Sequence, residues 1–104
     1  MKRKFKLSYS YIKCGKRYEE ELTFDKFYKT FSECISEYCF YFEEYTIYLA
    51  YHFDNTKQIN IYELNIESNF DETQNYESDN AKDLLEAKVI NGCSLKQIWK
   101  NLTN

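Results

Sequence analysis

The chain has 104 residues, of which 30% are charged and 43% are apolar, and its formal net charge is −3. This length predicts one domain over residues 1–104. No apolar run approaches the roughly 20 residues of a membrane-spanning helix, and the basic start lacks the apolar segment of a secretory signal. We therefore expect a globular protein of the cytoplasm.

The first predicted element is a β-hairpin. Apolar and polar residues alternate over residues 4–12 and again over 17–23, which is the pattern of two half-buried strands. Gly15 lies in the connecting segment, where its freedom to adopt a positive φ favours a tight turn.

A long helix is predicted next. From Phe24 the apolar residues recur at every third or fourth position as far as Phe42, which indicates one helix of about five turns. Thr23 is the expected N-cap, and Asp25 suits the positive end of the helix dipole.

Alternation returns over residues 46–53 and 58–66 and predicts a second hairpin. The apolar positions of its second strand change phase between Ile61 and Leu64. The change indicates either a β-bulge or a strand that is covered on both faces.

The remainder is predicted as a loop and two helices. Residues 67–80 contain five acidic residues and no basic one and are expected to form a long loop. Residues 81–90 form a helix that ends at Gly92, and Ser94 with Gln97 matches a capping box that opens a short last helix. The order is ββαββαα, an α+β fold in which two hairpins form a four-stranded antiparallel sheet with helices packed on one face.

Charge is distributed unevenly along the chain. Residues 1–18 contain seven basic residues and no acidic one, residues 19–80 carry a net charge of −12, and residues 81–104 carry +2. One interpretation is neutralisation inside the first hairpin, with Lys4 and Lys6 opposite Glu19 and Glu21. The alternatives are an acidic surface for a basic partner or a basic arm for phosphates.

Motifs for catalysis and cofactor binding are missing from the sequence. Gly15 and Gly92 are its only glycines, which excludes the phosphate-binding glycine loops. The four cysteines form no CxxC pair, so we expect no metal and no cofactor. Because the sequence lacks an export signal, we also expect no disulfide. Cys39 and His52 are the candidates for a thiol nucleophile and its base, but the apolar run around Cys39 keeps a thiol protonated. We therefore predict that the protein is not an enzyme.

The leading functional hypothesis is a protein-interaction module that inhibits or regulates a nucleic-acid-handling protein. Small acidic inhibitors that phages and mobile elements direct against host nucleases, anti-CRISPR proteins among them, are similar in size and composition. Phe, Tyr, Met, Ile, Asn and Lys supply 49 residues, against seven from Gly, Ala, Arg and Pro, which indicates an AT-rich genome such as that of a low-GC bacterium. A homodimer through an uncovered sheet face or edge strand is a further possibility. The candidate partner-binding residues are acidic, with one tyrosine: Glu33, Glu37, Glu43, Glu44, Asp71, Glu72, Tyr76, Glu77 and Asp79.

The alternative hypothesis is a small nucleic-acid-binding domain that uses the first hairpin. Tyr9, Tyr11 and Tyr18 can stack on bases, although they share the apolar face that we expect to point at the helix. The candidate phosphate contacts are the basic residues Lys4, Lys6, Lys13, Lys16 and Arg17.

Overall fold

A computed structural model describes residues 5–68 and 72–104. Lys4 and Asp71, which the sequence analysis singled out, lie outside the described residues. The structure confirms the α+β class and the four-stranded antiparallel sheet, and it adds a separate two-stranded sheet. The predicted second hairpin is confirmed and supplies two strands of the four-stranded sheet, whereas the other two strands differ from the predicted ones.

The first hairpin is confirmed as β1 (Ser8–Lys13) and β2 (Lys16–Glu21), which pair antiparallel. Cys14 and Gly15 join them at φ angles of 53° and 79°. Two consecutive positive φ angles characterise the type I′ turn, whose twist matches that of paired strands. This hairpin forms a sheet of its own, whereas the prediction made it half of the four-stranded sheet.

The predicted pairing of Lys6 with the acidic residues of β2 is wrong. The two-residue turn sets a register in which Ser8 faces Glu21 and Ser10 faces Glu19. Lys6 lies before β1, and its ammonium donates to the backbone oxygen of Lys100 at 3.3 Å.

The helix α1 (Phe24–Ser32) begins as predicted and ends early. The hydroxyl of Thr23 accepts the backbone N–H of Lys26 at 3.3 Å, which confirms the N-cap. At the other end Cys34 adopts the left-handed region at φ 57°. Its N–H donates to the carbonyl of Phe31 and that of Ile35 to the carbonyl of Thr30, at 3.0 and 2.8 Å. These two bonds form a Schellman motif, which closes a helix.

The predicted continuation of this helix to Phe42 is wrong. Tyr38–Phe42 form a strand, β3, that pairs with β4 (Tyr45–Asp54). Four of the five residues of β3 are aromatic, a composition that favours strands over helices.

The four-stranded sheet has the order β3-β4-β5-β6, in which β5 is Ile59–Ser68 and β6 is Gln74–Ser78. The strand β6 lies in the segment predicted as a loop. It forms because Tyr76 provides an inward-facing residue that packs against the core.

The β4–β5 register runs without a bulge from Tyr45 opposite Ser68 to Asp54 opposite Ile59. The change of phase in β5 arises because Ile61 and Tyr62, on opposite faces, are both buried at 8% exposure.

The helix α2 (Ala81–Glu86) is shorter than the predicted helix. The chain is already extended at Ala87. Asn91 and Gly92, the predicted helix stop, instead form a tight turn with φ angles of 49° and 82°. Ile90 and Cys93 flank this turn and exchange two backbone hydrogen bonds of 2.9 Å.

The last helix, α3 (Leu95–Ile98), has the predicted capping box. The Ser94 hydroxyl accepts the Gln97 N–H at 3.2 Å, and the Gln97 side-chain oxygen accepts the Ser94 N–H at 2.9 Å. A single 3₁₀ turn, Trp99–Asn101, follows. Beyond it Thr103 exchanges two backbone hydrogen bonds with Tyr41 on the outer edge of β3.

One continuous core fills the space between the helices and one face of the sheet, which we call the covered face. Its centre is aromatic: the Phe27 ring lies 5.6 Å from Phe40 and 4.9 Å from Trp99. The inward side chains of the sheet, such as Leu49 and Leu64, are almost fully buried. Within the described residues no helix is long and apolar enough to cross a membrane.

Candidate functional site

The open face of the sheet is the surface opposite the covered face. Its side chains alternate with the buried ones along β3 to β6, and among them are four carboxylates, two tyrosines and one histidine. The described strand residues on this face include no lysine or arginine. They are Cys39, Tyr41, Thr46, Tyr48, Ala50, His52, Asp54, Ile59, Ile61, Glu63, Asn65, Glu67, Asn75 and Glu77.

Two of these carboxylates lie directly opposite each other. Glu63 of β5 and Glu77 of β6 are register partners, and like charges in that position destabilise a strand pair. The Nδ1 atom of His52 lies 3.2 Å from the Glu63 carboxylate. Among the described residues no cation lies within ion-pair distance of Glu77. Within the described residues, Glu77 is therefore the carboxylate of this row that lacks an ion-pair partner, whereas Glu63 has His52 beside it.

Two exposed tyrosines lie on the same face. Tyr41 is 48% exposed and Tyr48 is 38% exposed, and the register makes them diagonal neighbours. The Tyr48 hydroxyl donates to the Glu67 carboxylate at 3.4 Å. The negative charge of Glu67, with partial desolvation as the next cause, raises the pKa of Tyr48. The phenol therefore stays protonated and remains a donor at the rim of the face.

Glu77 is the one predicted partner-binding residue that the structure places on the open face. Glu43 and Glu44 form the exposed turn between β3 and β4, and Glu72 precedes β6 at the same end of the sheet. Asp79 follows β6 at the opposite end. The acidic residues thus lie at both ends of the open face.

The remaining predicted residues lie elsewhere. Glu33 and Glu37 are exposed in the connection between α1 and β3. Tyr76 points to the covered face and is partly buried against the core, so consecutive residues of β6 serve different surfaces.

Several residues of the open face are not among the predicted site residues. Glu63 and Glu67 alternate with buried Leu64 and Ile66, so the signal was a period of two in the second hairpin. Tyr41 was missed because β3 was predicted as helix.

Cys39 and His52 both lie on the open face, but in different rows. Cys39 faces Tyr48, and His52 lies four residues farther along β4. At about 3.4 Å per residue this is a separation of about 13 Å. The thiol and the imidazole therefore do not form a nucleophile–base pair in this structure.

The distal half of the first hairpin is a second candidate surface. All residues from Ile12 to Glu19 are exposed, and Lys13 faces Lys16 across the turn. Arg17 points to the other side of the hairpin, where its guanidinium donates to the Ser10 hydroxyl at 3.2 Å. Of the predicted phosphate contacts, Lys13 and Lys16 therefore share one side of the hairpin tip and Arg17 lies on its other side. Lys6 lies at the opposite end of the hairpin, before β1.

A carboxylate at the base of this hairpin is held by three donors. Glu20 accepts the hydroxyls of Tyr9 and Tyr11 at 2.7 and 2.9 Å and the Lys26 ammonium at 3.0 Å. The Tyr9 hydrogen bond, followed by those of Lys26 and Tyr11, lowers the pKa of Glu20 to about 2. The Tyr9 and Glu20 hydrogen bonds raise the pKa of Lys26 in turn. The charge of Glu20 is therefore compensated within the fold.

The described residues contain no group of three or more His, Cys, Asp or Glu side chains that could hold a metal ion. All four cysteines are free, and Cys14 at the hairpin tip is the exposed one. No protein family, no curated protein and no solved structure matches the chain.

Proposed function

We propose that this protein is a non-enzymatic interaction module that binds a basic protein partner through the open face of its sheet. The observation that carries the proposal is the Glu63–Glu77 pair, in which two carboxylates face each other across the strands and Glu77 has no ion-pair partner among the described residues. Natural sequences tend to break a pairing rule of this kind at functional sites. Lysine or arginine side chains of a partner, placed over this pair, turn the repulsion into attraction.

The tyrosines add contact area to this charge. Tyr41 and Tyr48 present large, rigid rings that lose little conformational entropy on binding, and tyrosine is enriched at protein interfaces. An arginine that approaches Glu67 also reaches the Tyr48 ring, where cation–π attraction is available.

A second copy of the chain is a poor occupant of this face. A twofold dimer places the same patch on both sides of the interface. Because the open face has three glutamates and no lysine or arginine, such a dimer would bring Glu63, Glu67 and Glu77 against their own copies. The charge pattern favours a different protein.

The area of the open face can be compared with that of a standard protein–protein interface. Four strands about 4.8 Å apart, with a rise of about 3.4 Å per residue, give it an area on the order of 400 Å². A stable complex buries about 800 Å² on each partner, so the face supplies about half. The acidic turns at both ends of the sheet, with Glu43, Glu44 and Asp79, extend it.

The partner that we propose is a nucleic-acid-handling protein. Such proteins line their grooves with lysine and arginine to neutralise phosphates. An acidic surface that occupies the groove excludes nucleic acid and thereby inhibits or regulates the partner. The proposal assigns this function to the cytoplasm, where four free cysteines stay reduced.

The test is affinity capture from a nuclease-treated lysate of a low-GC bacterium. Three baits are compared: the wild type, the open-face variant Glu63→Gln/Glu67→Gln/Glu77→Gln, and the control variant Asp25→Asn/Asp83→Asn/Glu86→Gln. Both variants remove three charges, and the control positions are exposed in or beside α1 and α2. We expect basic nucleic-acid-binding proteins with the wild type and the control and their loss with the open-face variant.

The single variant Glu77→Gln separates an effect on binding from an effect on folding. Relief of the Glu63–Glu77 repulsion should leave the melting temperature of Glu77→Gln equal to or above that of the wild type. A captured set that is identical for all three baits contradicts the proposal. So does a concentration-dependent dimer in size-exclusion chromatography that the open-face variant abolishes.

A further inference from the structure

We infer that the tip of the first hairpin is a second and separate binding site, which takes single-stranded nucleic acid. The site lies on the tyrosine face of the hairpin, defined by the side chains that share one side of β1 and β2: Tyr9, Tyr11, Lys13, Lys16, Tyr18 and Glu20. The inference is independent of the proposed role of the open face, since the two surfaces share no residue.

The first observation is geometric. Leu7 and Leu22 are 4% exposed and join the core, so the base of the hairpin is fixed to the body of the protein. Beyond them the chain from Ile12 to Glu19 is exposed throughout. The tip is therefore an arm that can reach a ligand without any rearrangement of the fold.

The second observation is the charge of the tip. Lys13 and Lys16 are register partners, so both side chains leave the hairpin on the tyrosine face. Like charges in this position are unfavourable for the free protein. A phosphate between them removes the repulsion and gains two charge-assisted hydrogen bonds.

The third observation is that the part of the tyrosine face next to the protein core carries no unpaired negative charge. Glu20 is the acidic residue of the tyrosine face, and its charge is balanced by the Lys26 ammonium at 3.0 Å. Glu19 and Glu21 point to the other side of the hairpin. A phosphate at the tip therefore meets positive charge with no unpaired carboxylate on its own side.

The fourth observation indicates unpaired bases. The rings of Tyr11 and Tyr18 stack across the strands at 5.5 Å with an interplanar angle of 20°. Tyr18 remains 42% exposed. A stacked aromatic pair beside two lysines is a platform on which an unpaired base can stack while its phosphates bind the cations. Bases inside a duplex are already stacked and cannot use it.

Fluorescence anisotropy tests this site with fluorescein-labelled 12-nucleotide oligo(dT), 12-nucleotide oligo(U) and a 12-base-pair DNA duplex. We expect the single strands to bind in 50 mM salt and to weaken about sevenfold at 200 mM, because Lys13 and Lys16 together neutralise about two phosphates, which gives a slope near −1.4 in a plot of log K against log salt. The relative affinity of the two single strands identifies DNA or RNA as the source of the ligand.

Two variants divide the site into its parts. Lys13→Gln/Lys16→Gln should bind oligo(dT) at least about tenfold more weakly and reduce the steepness of the salt plot by about 1.4. Tyr18→Leu should weaken binding at least about fivefold and leave the slope unchanged, because stacking releases no counterions. The control Lys82→Gln/Lys88→Gln removes the same charge from exposed positions in and beside α2 and should bind like the wild type.

Three results overturn the inference: no anisotropy change at 50 mM salt with any oligonucleotide, equal losses in the Lys13/Lys16 variant and the control, or duplex binding as tight as single-strand binding. Circular dichroism verifies that the variants are folded. The open-face variant should bind the oligonucleotides at least as well as the wild type. Failure of the open-face proposal therefore leaves this test intact.

Discussion

Two pairs of like charges face each other across strands, Lys13 with Lys16 and Glu63 with Glu77. The two pairs lie in different sheets and have opposite signs. The opposite arrangement occurs where the Glu20 carboxylate meets the Lys26 ammonium at 3.0 Å. Each like pair costs a little stability in the free protein. We interpret both as places where binding, rather than folding, selected the residue.

Glu20 allows a prediction for pH dependence. Because its pKa is lowered from 4.5 to about 2 in the folded protein, the carboxylate stabilises the fold fully above pH 4.5. This contribution is lost as the pH falls from 4.5 through about 2. Denaturant titrations between pH 6 and pH 2 should show a steeper loss of unfolding free energy for the wild type than for Glu20→Gln.

Glu19→Gln is the matched control for that experiment. Its side chain lies on the opposite side of the hairpin from Tyr9, Tyr11 and Lys26. We expect its pH profile to follow the wild type. Identical profiles for all three proteins would show that the Glu20 hydrogen bonds do not contribute to stability. High salt should reduce the difference, since exposed ion pairs are screened.

At the scale of elements, the sequence predicted well wherever side-chain chemistry determines the backbone directly. Gly15 and the alternation around it predicted the first hairpin, and Ser94 with Gln97 predicted the last helix start. These signals are local, because a capping box or a tight turn is complete within four residues.

The largest error occurred at Cys34, where α1 ends. The Schellman motif usually has glycine at this left-handed position, and a cysteine there gives no sequence signal. The aromatic residues that follow happen to continue a helical spacing, so the pattern ran through to Phe42. Tertiary packing of Phe40 against Phe27 and Trp99 then decides in favour of a strand.

The error in α1 had a consequence for the candidate site. Because β3 was not predicted as a strand, Tyr41 was not assigned to the open face. Because β6 was not predicted, the position of Glu77 opposite Glu63 was not recognised. The charge of the central segment was visible in the sequence, but its arrangement depends on a sheet whose edge strands were not predicted. Local periodicity does not predict which distant strands pair with each other.

The capping box of α3 allows a prediction about stability. Ser94→Ala should lower the unfolding free energy by about 1 kcal/mol, because the Gln97 N–H loses its acceptor. For a chain of this size the corresponding fall in Tm is about 4–8 °C. Ser94→Thr retains the hydroxyl and should lie closer to the wild type in a thermal melt. Equal Tm values for the alanine and threonine variants would show that burial of Ser94, rather than its hydrogen bond, matters.

At the scale of the whole molecule, stability should be distributed unevenly. The strands β4 and β5 are central in their sheet and have neighbours on both sides. Among residues 5–68 and 72–104 no third strand pairs with the hairpin β1–β2, and two-stranded hairpins are marginal alone. Amide hydrogen exchange should therefore be fastest in residues 12–19 and slowest in the middle of β4 and β5. Uniform protection over all six strands would contradict this expectation.

The hydrogen bonds between Thr103 and Tyr41 also have a consequence for self-assembly. They occupy part of the β3 edge, so another chain that adds there must first displace residues at the C-terminal end. At the other edge, the described residues place no strand beside β6. Fibrous growth by edge-to-edge pairing needs two receptive edges on every subunit. A sheet with one obstructed edge ends such a stack rather than extending it, so strand addition to the four-stranded sheet leads to pairs and not to filaments.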